Sequence, residues 1–246
     1  MLRKIFKYLI NYFFKFFNLQ VNKITLSNNF YYHIVQTLKN YDIDLVIDIG
    51  ANEGQFAKKI IDYGFKNKII SFEPIKNVNK ILRYNSKKHQ NWIVNKSFGF
   101  GNLNETKFIN VSKNSVSSSI LEINKKHLQA QPDARTIGKE KIRLITLNSY
   151  LNKYKFKNKS IFIKIDTQGY EKKIILGAKK VLNRVTGLMI EVSISKVYKK
   201  EADYMAIINL MKKLDFYVWS IERGFTDKKT GQVLQLDIIF INKNAK

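Results

Sequence analysis

The 246-residue sequence contains no cysteine, which excludes disulfides and thiolate-bound zinc or iron–sulfur centres. Its three histidines, His33, His89 and His127, lie far apart and form neither a His-x-His nor a His-Glu-x-x-His pattern, so no metal is expected. Acidic residues are scarce: 19 stand against 44 lysines and arginines, a net charge of +25. Such a balance suits nucleic acid, an anionic membrane surface or an acidic polymer. The lysines are spread along the chain among many Asn and Ile residues, however, a distribution that codon bias produces without any selected partner. No RGG, RNP or zinc-finger pattern accompanies them, so nucleic acid is not the expected partner. A run of about 20 nearly uncharged apolar residues is also missing, so no spanning helix is expected. The 45% hydrophobic content fits a globular chain with a full core.

The first 25 residues differ in kind from the other 221, and we divide the chain there, into a basic amphipathic helix over 1–25 and one domain over 26–246. Lys4, Lys7, Asn11, Lys15 and Asn18 fall three or four apart and draw a narrow polar stripe, while Leu, Ile and Phe residues fill the remaining surface. Lys7 and Lys15 interrupt the apolar centre that a signal peptide needs, and no small-residue cleavage site follows. A basic, aromatic-rich helix of this kind suits the interface of an anionic membrane through residues 2–18. Packing on the domain, or on a second subunit, is the alternative. The expected location is the cytoplasm, peripheral on the inner face of the cytoplasmic membrane.

Beyond residue 40 strands and helices alternate. Leu45–Ile49, Lys68–Glu73, Ser160–Asp166 and Gly187–Ser193 are short apolar runs of the kind buried on both faces of a parallel sheet. Asn91–Phe98 reads as a third strand, and helices are expected over 53–64, 75–88, 170–185 and 202–214. Two closing strands, over 216–222 and 233–242, are joined by a turn containing Gly231 and are expected to pair antiparallel. The pattern implies a doubly wound α/β sheet with ligands at the carboxyl ends of its strands. Between Gly99 and Leu147 the rhythm fails, leaving a hairpin-like start and a Ser-rich loop.

The turn after the first strand reads Asp48-Ile49-Gly50-Ala51-Asn52-Glu53-Gly54. Asn52 stands where the dinucleotide fingerprint GxGxxG has its second glycine, against which a pyrophosphate must lie. Glu53 would repel a diphosphate at a helix N-terminus but not a cationic sulfonium with an amino-acid tail. Asp48 is placed to meet a ligand ammonium group, and Glu73, ending the second strand, to accept both hydroxyls of a ribose. These features favour S-adenosylmethionine over NAD.

The segments VIDIGANEGQF (46–56), SFEP (71–74), IKIDTQGYEKKIILGA (163–178), IEVS (190–193) and LQLDIIFI (234–241) resemble, in order and spacing, the FkbM family of S-adenosylmethionine-dependent methyltransferases. The resemblance implies the seven-stranded class I (Rossmann-like) methyltransferase fold, mostly parallel with an antiparallel last strand, and O-methylation of sugars or natural-product scaffolds. It implies that Gly50, Ala51, Asn52 and Gly54 line the cofactor's tail and that Glu73, followed by Pro74, holds its ribose. Asn95, Ser97 and Phe98 would flank the adenine. The chain departs from the family at Gln168, where an acid is usual, and at Asn148.

Methyl transfer to an alcohol needs the nucleophile held about 3–3.5 Å from the methyl carbon and a group that removes the hydroxyl proton. Asp166, at a strand end, is the first candidate for that group, Glu191 the second and His127 the third. Lys164, Ser118, Gln168 and Tyr170 are candidate acceptor contacts, and Tyr198 and Trp219 candidate stacking faces for a sugar; Glu171 is expected to cap its helix. The expected activity is O-methylation of a sugar hydroxyl on a cell-surface glycan or its lipid-linked precursor. Methylation of RNA is an alternative, although neither proline is followed by Pro-Tyr, as the Asn-Pro-Pro-Tyr motif of base methylation requires. A catalytically inactive cofactor- or glycan-binding module, suggested by Gln168, is the other.

Overall fold

A computed structural model describes residues 2–154, 156 and 159–245. Met1 and the side chains of residues 2–4, which belong to the expected amphipathic face, lie outside what is described. The first helix, α1 (Leu2–Lys15), leaves Phe6, Tyr8, Tyr12 and Phe13 exposed, and Phe16, in the turn that follows, is 87% exposed. Helix α2 (Phe30–Asn40) opens the domain, capped by the Asn29 side chain, which accepts from the Tyr32 amide.

Strand β1 (Leu45–Ile49) lies at the centre because all five of its residues are buried, which only a sheet covered on both faces permits. After it come α3 (Gln55–Asp62), β2 (Lys68–Phe72), α4 (Lys76–Ser86) and β3 (Trp92–Val94). The third strand is shorter than expected. From Asn95 the chain leaves the sheet edge to form β4 (Gly99–Phe100), which pairs with a later strand of a second sheet. That sheet holds the segment whose rhythm failed: β5 (Glu105–Ser112), α5 (Lys125–Ala130) and β6 (Thr136–Ile145), in the order β4-β6-β5.

The chain re-enters the main sheet through α6 (Leu147–Tyr154) and β7 (Ile161–Ile165), continues through α7 (Glu171–Leu176), β8 (Gly187–Ser193) and α8 (Tyr204–Lys213), and closes with β9 (Phe216–Arg223) and β10 (Gln235–Asn242). The seven-stranded order is β3-β2-β1-β7-β8-β10-β9, parallel except for β10, which runs antiparallel between β8 and β9. This is the class I architecture expected from the sequence. The single helix expected over 170–185 is instead α7 and a short 3₁₀ turn, Leu182–Arg184, separated at Gly177.

Strand alternation divides the core. Leu45, Ile47 and Ile49 of β1, with Ile161, Ile163 and Ile165 of β7, face α6, α7, α8 and the second sheet. Val46 and Phe162 face α2 and α3. The second sheet is seated where Gly177 ends α7: a Cβ there would run into the Gly101 carbonyl and meet Asn102 Cα at 3.0 Å. Gly177→Ala is therefore expected to destabilise the fold by about 1–3 kcal/mol, the range of an overpacked core, in urea unfolding. A loss below 0.5 kcal/mol, of the size a neutral surface change produces, would show that the contact is not tight.

Candidate active site

Register carries charge into the middle of the sheet. On the α2–α3 face, Ser71, Asp48, Lys164, Met189 and Ile239 stand side by side across β2, β1, β7, β8 and β10. Asp48 and Lys164 are 0% and 4% exposed. The Lys164 ammonium lies 3.4 Å from Asp48 Oδ1 and 3.2 Å from Asp166 Oδ2. It donates to the Gly50 carbonyl at 3.0 Å, and Asp48 Oδ2 accepts from the Ser71 hydroxyl at 2.9 Å. Burial works to lower the Lys164 pKa, but Asp166 and Asp48 outweigh it and hold the ammonium above its ordinary value. Asp48 thus meets an ammonium group, as its position suggested, but the group is the protein's own and Asp48 does not reach the cavity wall.

One pleat nearer the carboxyl edge stands a row of acids: Asp166, Glu191, Asp237 and Glu222, with Asp237 opposite Glu191 on one side and Glu222 on the other. Gln168 ties part of the row together. Its amide nitrogen donates to Asp166 Oδ1 at 2.8 Å and to Glu191 Oε2 at 2.7 Å, and its Oε1 accepts from the Tyr198 hydroxyl at 2.7 Å. Gln235 donates a second amide hydrogen bond to Glu191 Oε2 at 2.8 Å. Burial, and Asp166 after it, pushes the Glu191 carboxyl well up. Gln168 and Gly169 both take left-handed backbone, φ 58° and 95°. Glu171 supports that turn by accepting from the Thr167 and Gly169 amides at 2.8 and 3.1 Å, and burial pushes its carboxyl up to about 7.

Asp166, Gln168, Glu191, Gln235 and Asp237 face a cavity of about 530 Å³, within the range of small-molecule sites. Gly50, Ala51, Asn52, Glu73 and Pro74 line it too. Gly50 has φ +73°, and a Cβ on it would strike the Asp166 carbonyl, so the turn closes onto β7 only with glycine. Asn52, at φ 48°, donates its amide to Glu73 Oε2 at 3.1 Å, and Ile75 donates to Oε1 at 2.9 Å. Burial pushes the Glu73 carboxyl up to about 7 against those two amides. Each Glu73 oxygen takes one backbone amide and retains further acceptor capacity, and the residue lines the cavity, which is the acceptor set a ribose diol requires.

The Ser-rich loop lines the cavity through Asn114, Ser115, Val116, Ser117 and Ser118. The Asn52 side-chain amide donates to Ser115 Oγ at 3.2 Å, and Ser118 Oγ accepts from the Ser112 amide at 3.0 Å. Lys164, Asp166, Gln168, Tyr170, Ser118, His127 and Glu191 all line the cavity. His127 is buried against Tyr198 and Phe225, and burial lowers its pKa to about 4.

Several anticipated residues stand elsewhere. Gly54 (φ +96°) caps α3 beneath the Trp92 ring, and neither it nor Glu53 lines the cavity. Asn95, Ser97 and Phe98 lie beyond the end of β3 and away from the wall, where Phe72, Gly99, Phe100 and Leu144 stand instead. Asn95 donates its side-chain amide to the Tyr150 hydroxyl at 3.2 Å. Tyr198 is fully buried behind Gln168, and Trp219 is 41% exposed on the edge strand, so neither offers the cavity a stacking face. Among the wall residues without an assigned role are Tyr31, on α2, and Asp237, near the start of an antiparallel strand. No group of three or more acids and histidines among the described residues is arranged to hold a metal ion.

A family model described as Methyltransferase FkbM domain matches residues 48–218. No curated protein matches. Among solved structures, magnesium protoporphyrin IX methyltransferase from Synechocystis PCC 6803 with bound SAM is 7% identical, covers 86% of this chain and 76% of its own, and has a TM-score of 0.47. TrmK of M. capricolum in complex with S-adenosyl-homocysteine is 11% identical over 88% and 69%, with a TM-score of 0.44. TehB of Haemophilus influenzae is 10% identical over 95% and 66%, with a TM-score of 0.47.

Removing the ammonium at the centre of this site strands Asp48. Lys164→Met is expected to cost about 3–5 kcal/mol in urea unfolding, the cost of an orphaned buried charge. Adding Asp48→Asn is expected to recover more than half of that loss. If the single substitution costs under 1 kcal/mol, the pair does not organise the sheet.

Proposed function

We infer the reaction from one premise: the chain belongs to the family of FkbM methyltransferase domains, and its cofactor is S-adenosylmethionine. We propose that it methylates a hydroxyl oxygen of a sugar, on a cell-surface glycan or the lipid-linked precursor of one. The Gly50–Asn52 turn and Glu73 would hold the cofactor, which when bound supplies a methyl group carried on a sulfonium. The residues fit that group better than a dinucleotide: Glu73 suits a ribose diol, Asn52 replaces the glycine a pyrophosphate needs, and the nearby carboxylates favour a cation.

The observation that supports a polyol acceptor is the polar wall beside β7, β8 and β10. Asp166, Glu191, Asp237, Gln168 and Gln235 supply carboxylate and amide groups there, and the Tyr31 ring also lines the cavity. Carboxylates and amides accept from and donate to hydroxyls, and they repel phosphate. The same wall speaks against RNA, whatever the charge of the outer surface. It also speaks against an inactive module. Where the family has an acid, the Gln168 amide joins two carboxylates that a third acid would drive apart.

With tritiated S-adenosylmethionine, label is expected in one or more of a panel of methyl hexopyranosides and methyl 6-deoxyhexopyranosides, and none in total RNA. Label in RNA alone would overturn the acceptor class.

We also propose that α1 docks on an anionic membrane, which would bring the cavity to a lipid-linked acceptor. No helix among the described residues is long and apolar enough to cross a membrane. The first 41 residues nevertheless contain no acid, and α1 with the turn after it exposes Phe6, Phe13 and Phe16 beside Lys7 and Lys15. The full chain is expected to float with vesicles rich in phosphatidylglycerol and not with pure phosphatidylcholine. Phe13→Glu with Phe16→Glu should weaken that binding at least about tenfold, since each ring gives up 1.5 kcal/mol or more of burial. Equal binding to both vesicles, or none to either, would contradict the docking.

A further inference from the structure

Of the three acids that β7, β8 and β10 bring to the cavity wall, two already have strong partners. Asp166 is paired with the Lys164 ammonium at 3.2 Å and accepts from Gln168 at 2.8 Å. Glu191 Oε2 accepts two amide hydrogen bonds, at 2.7 and 2.8 Å. Asp237 lines the same cavity, and its carboxylate has no hydrogen-bond or ion-pair partner among the described residues. Its place is set by topology. Because β10 runs antiparallel, the beginning of that strand reaches the carboxyl edge where the parallel strands end, and register sets Asp237 opposite Glu191. His127, the remaining candidate, is a weak base: burial holds its imidazole near pKa 4.

We propose that Asp237 is the catalytic residue that takes the proton from the acceptor hydroxyl, while Asp166 and Glu191, fixed by Lys164, Gln168 and Gln235, orient the acceptor. This rests on the methyl-transfer reading above. The acceptor oxygen forms its bond to the methyl carbon as the carbon–sulfur bond breaks. The bonding pair stays on sulfur, which becomes a neutral thioether, and the hydroxyl proton passes to an Asp237 oxygen. The carboxyl then loses that proton to solvent when product leaves. The residue is poised for this role. Burial, and Asp166 after it, pushes the Asp237 carboxyl up to about 7, so the carboxylate is a stronger base than an ordinary one and still ionised at slightly alkaline pH. The groups facing it are Asp166 and Lys164 on β7, Glu191 on β8, Glu222 on β9 and the Tyr31 phenol on α2. Three of the five are acids, and Lys164 is the opposing charge.

The sign of the pH dependence follows. Asp237 must be ionised to accept a proton, so turnover should rise with pH through an ionisation near neutrality. Two measurements on the full chain test this. In the first, the carboxyl resonances of protein labelled with ¹³C-aspartate are titrated with S-adenosylhomocysteine present. One aspartate should titrate near neutrality, vanish in Asp237→Asn, and move to lower pH in Glu222→Gln, which removes a facing negative charge. In the second, turnover is followed on the methyl glycoside that accepts label. Asp237→Asn should lower kcat about a hundredfold or more, the scale of general-base catalysis, with S-adenosylhomocysteine affinity within about twofold and the neutral ionisation gone from the profile. Asp237→Glu should restore part of kcat.

An Asp237 that titrates in the ordinary carboxylate range, or an Asp237→Asn enzyme with kcat within about threefold of the parent, would overturn the assignment. Failure of every glycoside to accept label would count against the sugar acceptor alone, because the titration still decides the state of Asp237. A variant that loses S-adenosylhomocysteine binding along with turnover would show a structural role, which also overturns it.

Discussion

The structure depends on a single ammonium group. Lys164 stands in the middle of a sheet whose neighbouring residues are almost all apolar, and it is shared by Asp48, Asp166 and the Gly50 carbonyl. Each contact performs a different task. Asp48 makes the burial of the lysine tolerable. The bond to Gly50 holds the turn after β1 down on β7, and the contact with Asp166 fixes a carboxylate at the cavity wall. A buried ion pair is not in itself a source of stability, because desolvation offsets most of the attraction. Its value here is positional: it joins the turn after β1 to the cavity wall at the end of β7 through one side chain.

From that centre the acids separate by environment. Glu73 accepts from two backbone amides and lines the cavity beside the Gly50 turn. Glu171 is spent on its own turn, Glu191 is held by two glutamines, and Asp237 is left open. The carboxylates resemble one another in sequence and differ in what is already donating to them. Gln168, which seemed a departure in the sequence, is the residue that makes the difference between Asp166 and Glu191 on one side and Asp237 on the other.

Much of this was legible in advance, for physical reasons. A strand buried on both faces must be continuously apolar, so Leu45–Ile49 and Ile161–Ile165 announce a parallel sheet. Where such a strand ends in an acid or a glycine, the residue lies at the ligand edge, which places Gly50, Glu73 and Asp166. The same rule misses Asp237, since on an antiparallel strand the ligand edge comes first and an acid there looks like part of the turn before it. Nor does sequence show register. Asp48 and Lys164 are far apart along the chain, and only their pairing across β1 and β7 reveals that Asp48 is occupied by a lysine. The third strand was read too long because Asn95 to Phe98 keep the residue types of a strand. They form no strand, however: Asn95 still donates its amide to the Ser71 carbonyl of β2, and beyond it the chain turns so that Gly99 and Phe100 pair with β6. The cavity wall is consequently built by Phe72, Phe100 and Leu144 in place of the residues expected to flank an adenine.

The central claim is that the turn at Gly50 and the acid at Glu73 hold a sulfonium nucleoside and not a dinucleotide. Calorimetric titration of the full chain with S-adenosylmethionine, S-adenosylhomocysteine and NAD, side by side, tests it most directly. The account predicts saturable binding of the first two and none of the third. Binding of NAD without either of the others would contradict it.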